Sequence, residues 1–378
     1  MRSVPVGVLG CGMISDEYLQ GMRQFDVLDV VACADLDLDR AKAAAAAHSV
    51  PVVCTPAELL ADPDIGIVVN LTPPQAHAPV SMQAIAAGKS VWTEKPLGLE
   101  MEEAALTIAA AREHGVRLGC APDTFLGGAL QTMRKLIDDG AIGRPVAASA
   151  VFATPGPERW VERTEAYYLP GGGPLLDAAP YYITALLFLL GPAVRVTGST
   201  TAPGVEHRRQ LGPEAGKPLA IEVDTHATGI IDFAGGAVAT LIASWEIEGG
   251  THPYIEIYGS EGSLTGPDPD YHDGGPRGGL RILRRGLWDE WGGPREEHWE
   301  RVPLTHDGSM LRGVGVADMA AAILSERPHR ASGELALHAL EIMRAIERSS
   351  RAGTHVTLQT TCEQPRPLPA GLAGGQLD

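Results

Sequence analysis

Three groups of side chains have the types and spacing to act on a small polar molecule. The first is Gly10-Cys11-Gly12-Met13-Ile14-Ser15, a G-x-G-x-x-S turn between a strand-like and a helix-like run. Gly10 suits a tight turn, Gly12 lets backbone N–H groups of the loop approach a pyrophosphate, and small Ser15 lets helix and sheet pack closely. Met13 and Ile14 complete the loop and are counted with its cofactor-binding residues. Asp35 ends the next strand-like run, where a carboxylate accepts from the adenosine ribose hydroxyls. Its charge repels a 2′-phosphate, so NAD is expected over NADP. A glycine-rich turn alone joins many strands to helices; it is the flanking elements and Asp35 together that point to a dinucleotide. Cys11 reads as a small space-filler, with a redox role the lesser alternative.

The second group follows two later strands. Asn70-Leu71-Thr72-Pro73-Pro74, with His77 opening the next helix, falls where a parallel sheet presents its ligand crevice. Thr72, Pro73 and His77 are therefore expected beside the cofactor, although His77 reads equally well as a packing residue. Glu94-Lys95-Pro96 ends the next strand. There Glu94 and Lys95 would border the nicotinamide, and an ammonium can hold a substrate hydroxyl and stabilise a developing alkoxide. The bland alternative is a solvated strand-end lysine. The third group is Gly171-Gly172-Gly173-Pro174, then Asp177, Tyr181 and Thr184. The spacing puts the last three on one face of an apolar helix, with a bend beside Asp177 because Pro180 lacks an N–H. A Tyr–Asp hydrogen bond bracing a core helix is the competing reading.

These residues need a particular frame. Val4–Leu9, Leu28–Ala34, Ile65–Asn70, Ser90–Thr93 and Val116–Cys120 are short, nearly uniformly apolar runs separated by helical stretches, the pattern of a parallel sheet covered on both faces. Thr55-Pro56-Ala57-Glu58 reads as a capping box, and Gly88 and Gly115 as helix stops. After residue 121 comes a helix near Gly128–Asp139. It is followed by alternating runs (Val146–Phe152, Ala220–Phe233, Ala237–Glu248 and Tyr254–Tyr258), expected to form a mostly antiparallel sheet with one free face. A long excursion over 266–293 and helices near Ser309–Ser325 and Ser332–Ser350 follow. The expected domains are 1–122, binding NAD; 123–362, binding substrate and forming the oligomer contact; and 363–378, a flexible tail.

Composition narrows the partners. Lys and Arg total 30 against 47 Asp and Glu, a formal charge of −17, which disfavours nucleic acid and anionic membranes. No apolar run reaches membrane-spanning length. The start, Met1-Arg2-Ser3, leaves no room for a signal peptide, and five scattered cysteines without a Cys-x-x-Cys pair fit reduced thiols, so a cytoplasmic protein is expected. The 12 histidines show no ligand spacing, so no metal is expected.

Taken together, Gly10–Ser15, Glu94-Lys95-Pro96, Gly140-Ala141-Ile142-Gly143, Gly171–Gly173 with Asp177, and Gly259–Leu264 resemble the Gfo/Idh/MocA oxidoreductases over roughly residues 4–357. The resemblance implies an α/β chain: a Rossmann domain plus a C-terminal α/β domain on an open, mostly antiparallel sheet. It implies NAD(P)-dependent oxidation of a sugar or cyclitol hydroxyl, or reduction of the ketone, without metal. It also implies a homodimer or homotetramer, Lys95 as catalytic lysine and Asp177 as its acidic partner. The family's histidine four residues after the aspartate is Tyr181 here, its next aspartate is Thr184, and Asp123-Thr124-Phe125 lies where many members carry an arginine before the phenylalanine. A phenol beside Lys95 is pulled towards phenolate, so Tyr181 is expected to carry the proton, as in short-chain dehydrogenases and some deoxysugar ketoreductases of the family. Trp160 and Tyr168 are expected to stack on the sugar, although the adjacent Tyr167 and Tyr168 read equally well as packing; Lys95, Asp177 and Tyr181 complete the expected substrate contacts. His306 and Asp307 are weaker candidates for hydroxyl contacts. Two rival functions are an NAD-dependent glycosidase using transient redox and a catalytically silent NAD-binding regulator.

Overall fold

The structure, a computed structural model, describes residues 3–272, 279–287, 296–306, 309–372 and 374–378. In chain order the strands are β1 (Val4–Leu9), β2 (Leu28–Ala34), β3 (Val52–Cys54), β4 (Ile67–Asn70), β5 (Ser90–Thr93), β6 (Leu118–Cys120), β7 (Pro145–Ala153), β8 (Ala193–Thr201), β9 (His226–Phe233), β10 (Val238–Ser244), β11 (Ile255–Gly259), β12 (Gly262–Gly266), β13 (Arg281–Arg284), β14 (Glu300–Arg301) and β15 (Val356–Thr357). The helices are α1 (Ser15–Met22), α2 (Leu38–His48), α3 (Pro56–Ala61), α4 (His77–Ala86), α5 (Met101–Glu113), α6 (Gly128–Asp138), α7 (Glu165–Tyr168), α8 (Pro174–Asp177), α9 (Ala179–Leu190), α10 (Val314–Leu324) and α11 (Gly333–Ala352).

Two compact units result. The first comprises Met1–Gln131, Thr305–Leu337 and Pro365–Asp378. Its six-stranded sheet runs β3-β2-β1-β4-β5-β6, every pairing parallel. The central strands are buried on both faces, Val6, Val8, Ile67, Val69, Val91 and Trp92 being fully enclosed, as their apolar runs anticipate. The strand order reverses between β1 and β4, so the crevice at their carboxyl ends is this fold's ligand position. Thr55 caps α3 in the expected box with Glu58. Gly88 and Gly115 end α4 and α5 at φ +75° and +66°. Edge strand β3, with Val52 and Val53 exposed, is too short to announce itself in the sequence.

The second unit comprises Thr132–Leu304 and His338–Gln364. Among the described residues its nine-stranded sheet runs β14-β13-β12-β11-β7-β10-β9-β8-β15, antiparallel except for β7 against β10. Alternation along β9 buries Ala227, Ile231 and Phe233 and exposes Ile230, as the one-sided pattern requires. Helix α11 presses on the covered face so closely that a Cβ at Gly198 or Gly229 would stand 2.6 or 2.8 Å from Ile346. β8, absent from the runs expected above although its Val194-Arg195-Val196-Thr197 alternates, pairs antiparallel with β9. The 266–293 excursion contains β13; residues 273–278 and 288–293 of it lie outside the described residues. No described helix is long and apolar enough to cross a membrane.

The domain division expected from the sequence differs from these units in two respects. Residues 305–337, expected with the second domain, group with the first unit. The tail, expected to be flexible, is held there: Leu368 N–H donates to Gln131 Oε1 at 2.7 Å, and Arg330 donates to the Arg366 carbonyl at 3.0 Å and to Asp378 Oδ1 at 2.7 Å. Among its described residues this Pro/Gly-rich segment forms no helix, but its carbonyls still find donors.

Candidate active site

The glycine loop begins where β1 ends. Gly10 has φ +99°, and a Cβ there would lie 2.7 Å from the carbonyl carbon of Leu71 and 2.9 Å from the Thr72 nitrogen, both backbone atoms. Only glycine lets β1 and β4 approach so closely at the switch point. Gly12 is the opposite case: a Cβ would meet nothing within 4 Å. Its position faces open space at the start of α1, the kind of cradle a diphosphate fills. Ser15, in the third glycine position, is buried and donates from Oγ to the Gly12 carbonyl at 2.6 Å, tightening the loop. Asp35 accepts the Cys11 N–H at 2.7 Å on Oδ2 and the Asp37 N–H at 2.8 Å on Oδ1. It thus ties the loop to the end of β2, and its carboxylate oxygens have lone pairs beyond the two that these N–H groups occupy. Met13 is exposed beside Gly12; Cys11 is buried, its thiol 3.6 Å from the Ala34 carbonyl.

The loops after β4 and β5 are braced from inside. Fully buried Asn70 donates to the His77 carbonyl at 3.0 Å and to Ser81 Oγ at 3.1 Å, and accepts the Thr72 hydroxyl at 2.6 Å. His77, expected as a cofactor contact, is 1% exposed, with Nδ1 2.7 Å from the Pro96 carbonyl and Nε2 2.7 Å from the Thr72 carbonyl. Both ring nitrogens face backbone carbonyls and not open space, so the ring, donating to one of them at a time when neutral, packs between the Thr72-Pro73 loop and the Lys95-Pro96 loop. Burial holds its imidazole below the ordinary range. Glu94, likewise expected at the cofactor, is buried. The Tyr18 hydroxyl donates to Oε1 at 2.8 Å and the Lys95 N–H to Oε2 at 3.0 Å, while Trp92 Nε1 donates to the Tyr18 oxygen at 3.1 Å. Burial, reinforced by Glu94, pushes the Tyr18 phenol up, so it remains a donor. This chain of buried donors fixes the backbone from which Lys95 projects. Lys95-Pro96 is a cis peptide. None of this bracing was legible in the sequence, because Tyr18, Asn70 and Trp92 carry no spacing signal towards Glu94 or His77.

In the second unit, Gly171 and Gly173 have φ +94° and +90°, and a Cβ at Gly172 would stand 2.2 Å from the Tyr167 carbonyl oxygen. The run is therefore a fold-back, delivering the chain to Pro174. The helix expected across Asp177, Tyr181 and Thr184 is interrupted: α8 ends at Asp177, Ala178 has φ −102°, and α9 starts at Ala179. With Pro180 lacking an N–H, the break falls beside Asp177, so the regular one-face relation holds only within α9. Tyr181 is 8% and Thr184 3% exposed. Tyr168, expected against the sugar, is fully buried; its hydroxyl donates to Glu158 Oε2 at 2.5 Å and lies 3.0 Å from His207 Nδ1. Trp160 is 54% exposed. His306 is buried with Nε2 3.0 Å from the Leu368 carbonyl, and Asp307 lies outside the described residues. Asp123, in the stretch where many family members carry an arginine, accepts the Gly313 and Gly315 N–H groups at 2.9 and 3.0 Å and so opens α10. Lys95 stands in the first unit, Asp177 and Tyr181 in the second.

Comparison with known proteins adds the ancestry. Residues 4–121 match the family model described as an oxidoreductase family with NAD-binding Rossmann fold, and 130–265 match the GFO/IDH/MocA C-terminal domain. A 1,5-anhydro-D-fructose reductase of Ensifer adhaerens is 31% identical over 265 residues, covering 69% of this chain and 74% of that one. A dTDP-3,4-didehydro-2,6-dideoxy-alpha-D-glucose 3-reductase of Saccharopolyspora spinosa is 30% identical over 363 residues, covering 93% and 99%. Among solved structures, levoglucosan dehydrogenase in complex with NADH and L-sorbose superposes with a TM-score of 0.78 at 22% identity over 95% of this chain and 99% of that one, a likeness of fold.

Proposed function

The chain belongs to the GFO/IDH/MocA oxidoreductases, with their NAD-binding Rossmann fold, and from that premise we propose how it works. It transfers a hydride between NAD and a secondary hydroxyl or ketone of a sugar, cyclitol or sugar derivative. The observation that carries this is the glycine loop: a Gly10 that nothing larger can replace, an open cradle at Gly12, and Asp35 gripping the loop from β2. With its diphosphate held by that loop, NAD would supply through its nicotinamide the hydride acceptor or donor. Met13, Ile14, Thr72 and Pro73 line the cofactor, while His77 and Glu94 hold its loops in place. Asp35 selects NAD over NADP by repelling a 2′-phosphate.

The proton side of the reaction falls to the chain's own residues. Lys95 draws the substrate oxygen towards itself and stabilises negative charge developing on it. Asp177 orients that ammonium. Tyr181 accepts the hydroxyl proton during oxidation and returns it during reduction, its phenol drawn towards phenolate by Lys95. The tyrosine in the histidine position, with the long likeness to a deoxysugar 3-reductase, favours ketone reduction as the working direction. Assembly as a homodimer or homotetramer through the uncovered sheet face, where Ile230 and Val238 are exposed, and a cytoplasmic location complete the reading.

The test is a screen of monosaccharides, cyclitols, glycosides and their keto forms with both nicotinamide cofactors, following absorbance of the reduced ring. Turnover with NAD that disappears in Lys95→Ala, while NAD still binds, supports the assignment. Persistent turnover removes Lys95 from the chemistry, and the absence of turnover on every polyol and ketone overturns the reading.

A further inference from the structure

A buried charged cluster in the second unit has no part in the chemistry above. Glu158 follows β7, Tyr168 ends α7, His207 lies on the stretch between β8 and β9, and Glu246 comes two residues after β10. His207 Nδ1 is 2.8 Å from Glu158 Oε1 and its Nε2 is 3.1 Å from Glu246 Oε1, with the three side chains 4%, 4% and 9% exposed. Tyr168 donates to the other Glu158 oxygen at 2.5 Å, and Thr225 donates to Glu246 Oε1. Glu246 Oε2 has no hydrogen-bond partner among the described residues, so this carboxylate depends on His207 and Thr225. A neutral imidazole has one N–H and would turn a bare nitrogen towards one carboxylate; only the imidazolium donates to both. Two buried carboxylates around a neutral ring would leave two uncompensated charges, against one around the cation.

The cluster holds the approach to the glycine fold-back. The Glu222 N–H donates to the Tyr168 carbonyl at 2.9 Å, and the Gly173 N–H to the Tyr167 carbonyl at 2.8 Å. The Tyr168 ring packs edge-on against Trp245 at 5.2 Å. We infer that Glu158, His207 and Glu246 are positioning residues: the imidazolium clamps three separate chain segments, thereby setting where the Gly171–Asp177 run lies, and loss of its proton loosens that run. The kinetic part of this inference rests on the reading of Asp177 and Tyr181 above; the structural part does not.

Sign and window follow from the partners. The Glu158 hydrogen bond, opposed by burial and aided by Glu246, holds His207 above the ordinary imidazole range. For Glu158, burial works upward, but the bonds from His207 and Tyr168 outweigh it and its carboxyl lies below the usual range. The clamp is therefore present at neutral pH and lost as pH rises through the raised His207 value. On the acid side it is lost only as pH falls through the depressed Glu158 value. Glu158, Glu246 and Tyr168 are the titratable groups facing the ring. Other charges on these segments pair elsewhere: Arg209 with both Glu165 and Glu214, Lys217 with Glu214, and Arg159 with Glu248.

Hydrogen exchange by mass spectrometry on the full chain with NAD bound tests this without a substrate. In His207→Gln, peptides across 156–178 should exchange about tenfold faster at neutral pH, equivalent to about 1.4 kcal/mol of local opening, with 4–120 unchanged. The wild type, corrected for intrinsic rates, should lose the same protection as pH rises on the alkaline side of the ordinary imidazole value of about 6.5, whereas the variant shows no such step. On any substrate found by the screen, wild-type kcat should fall over that alkaline step, and the variant's should be low and flat. If His207→Gln does not fold, the wild-type pH series decides alone. Unchanged exchange in the variant, exchange raised uniformly over the chain, or wild-type protection independent of pH overturns the inference. Turnover indifferent to Lys95 and Tyr181, with the exchange step intact, would overturn the site assignment and leave this inference standing.

Discussion

Replacing each loop glycine by alanine separates folding from cofactor binding. At Gly10 the new methyl group would stand 2.7 and 2.8 Å from the Leu71 carbonyl carbon and oxygen, on a residue with φ +99°. Positive φ on a non-glycine residue costs about 1–3 kcal/mol. Forcing backbone apart in a packed interior costs about 1–3 kcal/mol more. The sum, about 4 kcal/mol, corresponds to a fall in Tm of about 10 °C for a unit of this size. At Gly12 no atom lies within 4 Å and φ is not in the left-handed region, so Gly12→Ala should melt like the wild type. What it loses is the cradle. Displacing a diphosphate from one charge-assisted N–H contact costs about 1.5–3 kcal/mol, or about 10- to 100-fold in NAD affinity. Thermal denaturation by circular dichroism and NAD titration by calorimetry measure the two effects. A Gly10→Ala protein with unchanged Tm, or a Gly12→Ala protein binding NAD as tightly as the parent, would refute the argument.

Other expectations come from buried charge and hydrogen bonding. Arg330→Gln should destabilise the first unit by about 3–5 kcal/mol, because Asp318 is fully buried and takes bonds from the Arg330 backbone at 2.6 Å and its guanidinium at 2.5 Å. Chemical denaturation reads this directly, and Arg327→Gln at the more exposed partner should cost less. Burial holds His77, His329 and His338 below the ordinary imidazole range, so the unfolded chain takes up protons that the folded one refuses. Through these three groups, stability should fall as pH drops below about 6.5, with a shallower slope in His338→Gln; urea midpoints across that range check it. Asp35→Ala should weaken NAD by about tenfold, from loss of a charged hydrogen bond, and narrow its preference over NADP; parallel titrations with both cofactors decide.

What was legible in advance is what local pattern specifies. β1, β2 and β5 have the bounds their apolar runs indicate, and Thr55 caps its helix, because these depend on neighbours in sequence. The place of the G-x-G-x-x-S turn between β1 and α1, and of Asp35 just past β2, was legible because strand ends and glycine spacing are local features. At Asp177 the bend was legible from Pro180, but its extent was not: the structure makes α8 and α9 separate helices meeting at Ala178, so the expected single polar face does not run through.

The amino-acid sequence thus determined the parallel first sheet, the mostly antiparallel second one, the family and the cofactor class, since period, turn chemistry and motif spacing are local quantities. Tertiary structure decided which polar side chains brace and which stay available. It turned His77 and Glu94 into buried struts, put Tyr168 into a clamp with Glu158 and His207, and gave the tail's carbonyls to Arg330. A buried polar atom takes whichever partner the fold brings within about 3 Å, and residues dozens of positions apart share no pattern that announces the meeting.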